Sequence, residues 1–387
     1  MGCVGARHRP GQPQRPQRFR RAGFHAENVL GQKLGAGAYA SVYAVTQAQG
    51  EARRCAAKVV GSGSSGSQTT AEMAAREVEI LRKVTETGSN FVVHLIDSFS
   101  EDAFTYIVME MCDHTFLQAL RSLGAHTEDT YRPLFRQMMQ GLAAIHAAGV
   151  VHRDVKPDNF MCSGVGPERV VKLCDFGLAQ AVTDASRNKL RGINGTAPFL
   201  APEMVQGRRY NAKVDVWSLG VIVYLLLFGH LPYRPLLWTE EDMHRVIREG
   251  LPAPSFAPRV HGHADAALAE AISIPAEDLV LALLHRSPRE RPSASQALEH
   301  HYFSRATAGR APSLRPMLDS AEYSGAFDLL AGEPRHCAPS DLDAKLASLQ
   351  ALHGHRGAFS RQTTATLELA SEDCGSSSMS SWTPSSP

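Results

Sequence analysis

The sequence predicts an α+β fold in two parts, a small β-rich unit followed by a larger helical one. Three observations carry this. From Asn28 onward, apolar residues alternate with glycines, a pattern of strands joined by tight turns. Two further strand-like runs follow, Phe91 to Phe99 and Phe104 to Met111. Beyond them helical spacing dominates: Leu134, Met138, Leu142 and Ile145 form one apolar stripe, and Leu279, Leu283 and Leu284 another.

Taken in order, residues 1–27 read as an unstructured basic leader, with Arg7, Arg9, Arg15, Arg18, Arg20 and Arg21 among repeated Pro and Gln. The folded region then spans 28–303, divided near residue 111 between the β-rich part and the helical part. Within it, Gly61 to Gly66 reads as a flexible loop. The next segment has helical spacing, with Met73, Val78, Ile80 and Leu81 on or near one face. The run from Val214 to Phe228 is apolar all round but too short to span a bilayer, and it holds Asp215 and Ser218. It reads as the buried centre of the helical part. Residues 304–387 turn Ser/Thr/Gly/Pro-rich and read as mostly disordered. Inside that tail Leu342, Leu346, Leu349 and Leu352 make a short amphipathic stripe behind a Ser340 N-cap, either a regulatory helix docking on the helical part or, the preferred reading, a marginal helix or general interaction motif.

Composition narrows the function classes. Hydrophobic residues make up 43% and charged residues 20%, as in a soluble globular core. The net charge is +1, so no global field argues for nucleic acid. The cysteines at 3, 55, 112, 162, 174, 337 and 374 are odd in number and form no C-x-x-C pair, which fits a reduced, cytoplasmic setting. The apolar run of a signal peptide does not follow Met1.

Phosphoryl transfer needs a triphosphate held, metals placed, a hydroxyl oriented and developing charge matched. Candidates for each occur in workable order. In the run Leu34-Gly35-Ala36-Gly37-Ala38-Tyr39-Ala40-Ser41-Val42, the glycines would let backbone N–H groups approach phosphate oxygens, although Ala40 replaces a third glycine. An ordinary hairpin explains this run equally well. Lys58, in a strand context, can neutralise phosphate charge, and Glu77 can hold it; Glu79 competes for that role. In His152-Arg153-Asp154-Val155-Lys156-Pro157-Asp158-Asn159, Asp154 can accept a proton, Lys156 can balance phosphate charge and Asn159 can ligate a cation. Asp175-Phe176-Gly177 adds a second carboxylate for magnesium. Polar loops with caps and turns do not readily account for two such strings in this order.

These strings resemble the eukaryotic protein kinase family over residues 28–303. The resemblance continues through Gly195 to Glu203, similar to the end of an activation segment, through Asp215 to Gly220, and to Arg291, whose counterpart pairs with that of Glu203. It implies a bilobal fold with ATP in the cleft, an N-lobe of about 28–111 and a C-lobe of about 112–303. It further implies that Leu34, Gly35, Ala36, Gly37 and Val42 cover the nucleotide, and that Ala56 and Met161 sandwich adenine. The backbones of Glu110 and Cys112 would bind the adenine edge, with Met109 as gatekeeper. Lys58, steadied by Glu77, would contact phosphates; Asp154 would be the base, and Asn159 and Asp175 would hold Mg2+.

Lys156 and the Gly195-Thr196 pair resemble serine/threonine kinases, and the pattern is most similar to the calcium/calmodulin-dependent group. An EF-hand loop, a calcium sensor of the chain's own, is not seen. The expected partners are proteins bearing Ser or Thr. Asp113, Asp158, Glu240, Glu241 and Asp242 are either a surface for basic substrates or plain solvated carboxylates. Gly192 stands where related kinases often carry a phosphoacceptor, leaving Thr183 and Ser186 as candidates; Thr196 reads as structural, bonded to Asp154. The activation segment is then either phosphorylated at an unusual site, for Arg153 to bind, or ordered without phosphate. A scaffold without turnover would lack part of the set Lys58, Glu77, Asp154, Asn159 and Asp175, and all are present. Met1-Gly2-Cys3 resembles an acylated start, which with the arginines behind it would give peripheral membrane contact at the cytosolic face; Ala6 departs from the motif's Ser or Thr, and the alternative is a plain basic leader.

Overall fold

A computed structural model of the chain describes residues 23–37, 40–47, 54–61, 68–186, 188–256, 272–304 and Leu346. A short helix, α1 (Phe24–Glu27), precedes three strands, β1 (Asn28–Ala36), β2 (Ala40–Gln47) and β3 (Cys55–Gly61). Helix α2 (Gln68–Thr85) follows, then β4 (Leu95–Glu101) and β5 (Phe104–Glu110). The five strands form one antiparallel sheet in the order β1-β2-β3-β5-β4. Its register places Gly35 opposite Val42, Val42 opposite Lys58, and Lys58 opposite Ile107. Ala56 lies two residues before Lys58, on the same face of β3.

Helix α2 packs on this sheet through Ala74, Glu77, Val78, Ile80, Leu81 and Val84. Met73, expected on that face, is 44% exposed, one step outside the buried stripe. The expected leader of 1–27 also ends earlier than the sequence predicts. Phe24 is fully buried and stacks on Tyr106 of β5 with centroids 4.1 Å apart, while Phe99 meets it edge-on at 5.7 Å. A four-residue helix has little intrinsic stability, so this aromatic contact holds it. Residues 1–22, with Gly2, Cys3 and the arginines, lie outside the described residues.

The second part opens with β6 (His114–Thr115), α3 (Phe116–Arg121), α4 (Glu128–Ala147) and β7 (Val150–Val151). Strands β8 (Phe160–Ser163), β9 (Val170–Leu173) and β10 (Gln180–Ala181) follow, and β7 pairs with β10. The remaining helices are α5 (Pro202–Val205), α6 (Lys213–Phe228), α7 (Glu240–Glu249), α8 (Ile274–Leu283), α9 (Ala294–Leu298) and α10 (His301–Ser304). Leu134, Met138, Leu142 and Ile145 of α4, with Leu279 and Leu283 of α8, are buried together in the core. Helix α6 is buried along almost its whole length, as its uniform apolarity predicts. Ser218 Oγ shares its proton between the carbonyls of Phe199 (2.7 Å) and Val214 (3.0 Å).

Among the described residues no helix is long and apolar enough to cross a membrane. The chain divides into Met1–Cys337 and Ala338–Pro387. In the second unit Leu346 is helical and buried; Leu342, Leu349 and Leu352 lie outside the described residues.

Candidate active site

Two clusters of charged side chains are built by residues of the sheet and of the helical part. The first is built on Lys58. Its Nζ donates to Glu77 Oε1 at 2.7 Å and to Asp175 Oδ1 at 2.8 Å. Strand β3 supplies the lysine, α2 the glutamate, and the loop after β9 the aspartate. Glu77 is buried and Glu79 exposed, so of the two sequence candidates Glu77 makes the pair. Burial alone would lower the Lys58 pKa, but the charges of Asp175 and Glu77 outweigh it and hold it above its ordinary value. For Glu77 burial wins over Lys58, and its pKa is raised. For Asp175 burial pushes upward, but Lys58 outweighs it and the carboxyl sits below its ordinary value.

Asp175 has φ +58°, a left-handed backbone that non-glycine residues adopt at a cost. Gly177 sits against this cluster: a Cβ there would lie 3.5 Å from Lys58 Nζ and 3.4 Å from Asp175 Oδ1. Phe176 between them is buried, 5.1 Å from the His152 ring.

The second cluster surrounds Asp154. Thr196 Oγ1 donates to Asp154 Oδ1 at 2.8 Å and accepts from Lys156 Nζ at 3.0 Å. Lys156 Nζ also lies 3.1 Å from Asp154 Oδ2. Asn159 Nδ2 donates to the Asp154 carbonyl at 2.7 Å and to Oδ2 at 3.2 Å. Among the described residues nothing donates to Asn159 Oδ1, the amide's remaining acceptor.

The loop carrying Asp154 is held by Asp215 and His146, to which motif reading gave no role in the site. Arg153 has φ +68°. Asp215, fully buried at the start of α6, accepts from the backbone N–H groups of His152 and Arg153, both at 2.8 Å, and pairs with His146 Nε2 at 2.8 Å. Burial would raise the Asp215 carboxyl, but the hydrogen bond and charge of His146 bring it below its ordinary value. A lone carboxylate inside an otherwise apolar helix was the available signal, since a buried charge requires partners. His152 Nδ1 accepts from Asp154 N–H at 3.3 Å while its Nε2 lies 3.0 Å from the Cys174 carbonyl, which assigns the ring proton to Nε2.

The expected nucleotide side is distributed as follows. Leu34, Gly35, Ala36 and Gly37 are exposed at the β1–β2 turn, closed by Gly37 N–H donating to the Ala40 carbonyl at 2.8 Å; Ala38 and Tyr39 lie outside the described residues. Val42 and Met161 are half-buried and Ala56 is buried. Glu110 turns its carboxylate away to His94 N–H (2.9 Å) and Lys172 Nζ (3.0 Å). Cys112 is buried, and among the described residues nothing accepts its N–H. Met109 packs partly buried against the core. Cys55, Cys112, Cys162 and Cys174 are free thiols; burial raises Cys162 to about 12.

Among the described residues no group of three or more His, Cys, Asp or Glu converges on a metal position. Asn159 Oδ1 and the Asp175 carboxylate are hard oxygen donors that fit Mg2+, whose remaining ligands are usually waters and phosphate oxygens.

The segment after Asp175 is pinned at several points. Arg153 Nε donates to the Leu178 carbonyl at 2.7 Å, and Thr183 and Ser186 bond to each other across a turn at 3.1 Å. Leu190 forms an isolated antiparallel bridge with Tyr210. Farther on, Arg291 grips Glu203 with two bonds, 2.7 and 3.1 Å, and lies 5.0 Å over the Trp217 ring. The five carboxylates weighed as a substrate surface do not act alike. Asp113 is taken by Arg54 (3.0 Å) and Gly164 N–H (2.9 Å), and Asp242 by Arg245 Nε and Leu237 N–H (both 2.9 Å). Asp158, Glu240 and Glu241 remain exposed.

A β-sheet lobe and a helical lobe carry a lysine–glutamate–aspartate cluster and an Asp-Lys-Thr cluster, the two-lobed α+β architecture that the sequence predicts. The chain belongs to the protein kinase family: residues 29–303 match the model of the protein kinase domain. It is 34% identical over 283 residues to CDPK-related kinase 8 of Arabidopsis thaliana, covering 72% of this chain and 44% of the relative. It is 33% identical over 283 residues to calcium/calmodulin-dependent serine/threonine-protein kinase 1 of Oryza sativa subsp. japonica, again 72% and 44%. Calcium-dependent protein kinase 12 of the same rice is 30% identical over 304 residues, 76% of this chain and 51% of the relative. The match therefore spans about half the length of these curated relatives.

Proposed function

We propose that the chain transfers the γ-phosphoryl group of ATP to serine and threonine hydroxyls of protein substrates. The observation that carries this reading is the Asp154–Thr196–Lys156 triangle, in which a carboxylate is fixed by a hydroxyl donor beside an ammonium. Asp154 then accepts the proton of the attacking hydroxyl, and Lys156 stands where charge develops on the transferred group. Lys58, locked between Glu77 and Asp175, is set to neutralise α- and β-phosphates. Asn159 and Asp175 would hold Mg2+, which when bound offsets phosphate charge. Leu34, Gly35, Ala36, Gly37 and Val42 cover the nucleotide. Ala56 and Met161 flank adenine, and the Glu110 and Cys112 backbones meet its edge, the latter with an N–H that has no acceptor among the described residues.

The test is phosphate transfer from ATP and Mg2+ to serine and threonine peptides, wild type beside Asp154→Asn. A loss of about 10²–10⁴-fold is expected, with nucleotide binding retained. Transfer that persists in the variant overturns the assignment of the base.

The reading extends to location. Acylation at Gly2 and Cys3, reinforced by the six arginines from Arg7 to Arg21, would hold the kinase at the cytosolic face of a membrane. Fractionation should move Gly2→Ala from the membrane to the soluble pool. Identical partitioning of the two proteins removes the anchor from the account.

A further inference from the structure

The segment that delivers Thr196 to Asp154 carries a second charged feature with no role in the chemistry above. Leu190 and Tyr210 pair as an antiparallel bridge, with Tyr210 N–H donating to the Leu190 carbonyl at 3.0 Å. The bridge is braced by Tyr210 Oη on the Arg191 carbonyl (3.2 Å) and by Asn211 Nδ2 on Asn188 Oδ1 (2.8 Å). In that register Arg191 and Arg209 flank the pair opposite one another, with Lys189 and Arg208 beside them. All four side chains are exposed, and none has a carboxylate partner among the described residues. Glu203, whose carbonyl accepts the Arg208 N–H at 2.9 Å, has its carboxylate committed to Arg291.

Like charges facing each other across a strand pair are destabilising. A protein of net charge +1 that gathers on one braced bridge four cations without a carboxylate partner among the described residues has built a local anion-attracting surface. Its position relates it to the reaction. Arg191 is five residues before Thr196, so at most about 18 Å of chain separates them. That is the reach of about five extended substrate residues from a hydroxyl placed at Asp154.

We infer that Lys189, Arg191, Arg208 and Arg209 form a docking patch for an acidic or phosphorylated stretch of the protein substrate, within about five residues of the acceptor. The inference rests on the phosphoryl-transfer reading and adds a substrate class to it. Guanidinium groups suit this role because they take carboxylate or phosphate oxygens two at a time. Exposed pairs are individually weak, so two or three of them yield about a fivefold to tenfold preference that fades in high salt.

The test measures binding without turnover. Fluorescent peptides share one neutral serine core and carry aspartates, a phosphoserine, arginines or no charge within five residues of the acceptor. Anisotropy is read on the full chain without ATP, so a failure of catalysis leaves the result standing. Acidic and phosphorylated peptides should bind about fivefold to tenfold more tightly than the neutral one, and lose that margin in Arg191→Gln/Arg209→Gln. In Arg191→Glu/Arg209→Glu the arginine peptide should become the preferred one. In turnover assays the same margin should appear in KM, with kcat on the neutral peptide unchanged. Equal binding of neutral and acidic peptides, or a preference surviving in the double variant, overturns the inference. A preference seen only after phosphatase treatment assigns the patch to a phosphate on the chain's own Thr183 or Ser186, and overturns it as well.

Discussion

Lys58 mediates between two carboxylates of unlike character, one buried at Glu77 and one half-exposed at Asp175. Removing it strands Glu77, whose pKa is already raised by burial. A carboxyl with a raised folded pKa favours the native state at low pH, and that advantage disappears as pH rises through the folded value. In Lys58→Met this sensitivity increases, because the lysine no longer opposes the burial. The thermal deficit of Lys58→Met against wild type should therefore shrink as pH falls from about 8 to about 5. A deficit constant across that range would place the damage elsewhere than at Glu77. At this scale much of the candidate site was legible in the sequence, because Lys58, Asp154, Asn159 and Asp175 sit in short strings whose residue types suggest their chemistry. Asp215 and His146 were not legible as site residues. Their part depends on backbone donors and side chains brought in from distant positions.

Among the elements, α1 teaches the opposite lesson to α6. Helix α6 announces itself by uniform apolarity, and the β-strands by alternation. Helix α1 has neither signal, being four residues at the end of a Pro/Arg/Gln-rich stretch. What orders it is Tyr106, 82 positions further along the chain. Phe24→Ala should cost about 3–5 kcal/mol of stability, since the ring is fully buried. Calorimetry of that variant beside a chain lacking residues 1–22 checks the point. The truncation should melt like the full chain, and a Phe24→Ala protein that does so too would show that the stack contributes nothing.

Across the whole molecule, the segment from Asp175 to Glu203 is fastened at both ends, by Lys58 and by Arg291. The second fastening is the more buried, with Arg291 at 0% and Glu203 at 4% side-chain exposure. Arg291→Met leaves Glu203 as a buried charge without its partner, a change expected to cost about 3–5 kcal/mol. Thermal melting of the single variant beside Glu203→Gln/Arg291→Met measures this. Partial recovery in the double variant identifies the stranded charge as the cause, and equal loss in both would assign it to packing against Trp217. The two-lobed division was legible because it follows the change from period-two to helical spacing near residue 111. How the lobes' side chains meet was not, since the Lys58–Asp175 contact spans 117 positions.

Gly195 has φ +117°, and any Cβ there would run into the Arg153 carbonyl. Glycine is the only encoded residue without that atom, so every missense change of its codon introduces the same collision, whatever base is altered. In a library of all single substitutions, position 195 should form a column empty of survivors, with alanine no milder in kind than tryptophan. Arg191, four residues earlier, should show graded losses that follow charge. Adjacent stretches of one loop would thus carry a switch-like and a dial-like mutational record, written by backbone geometry in one case and by surface electrostatics in the other.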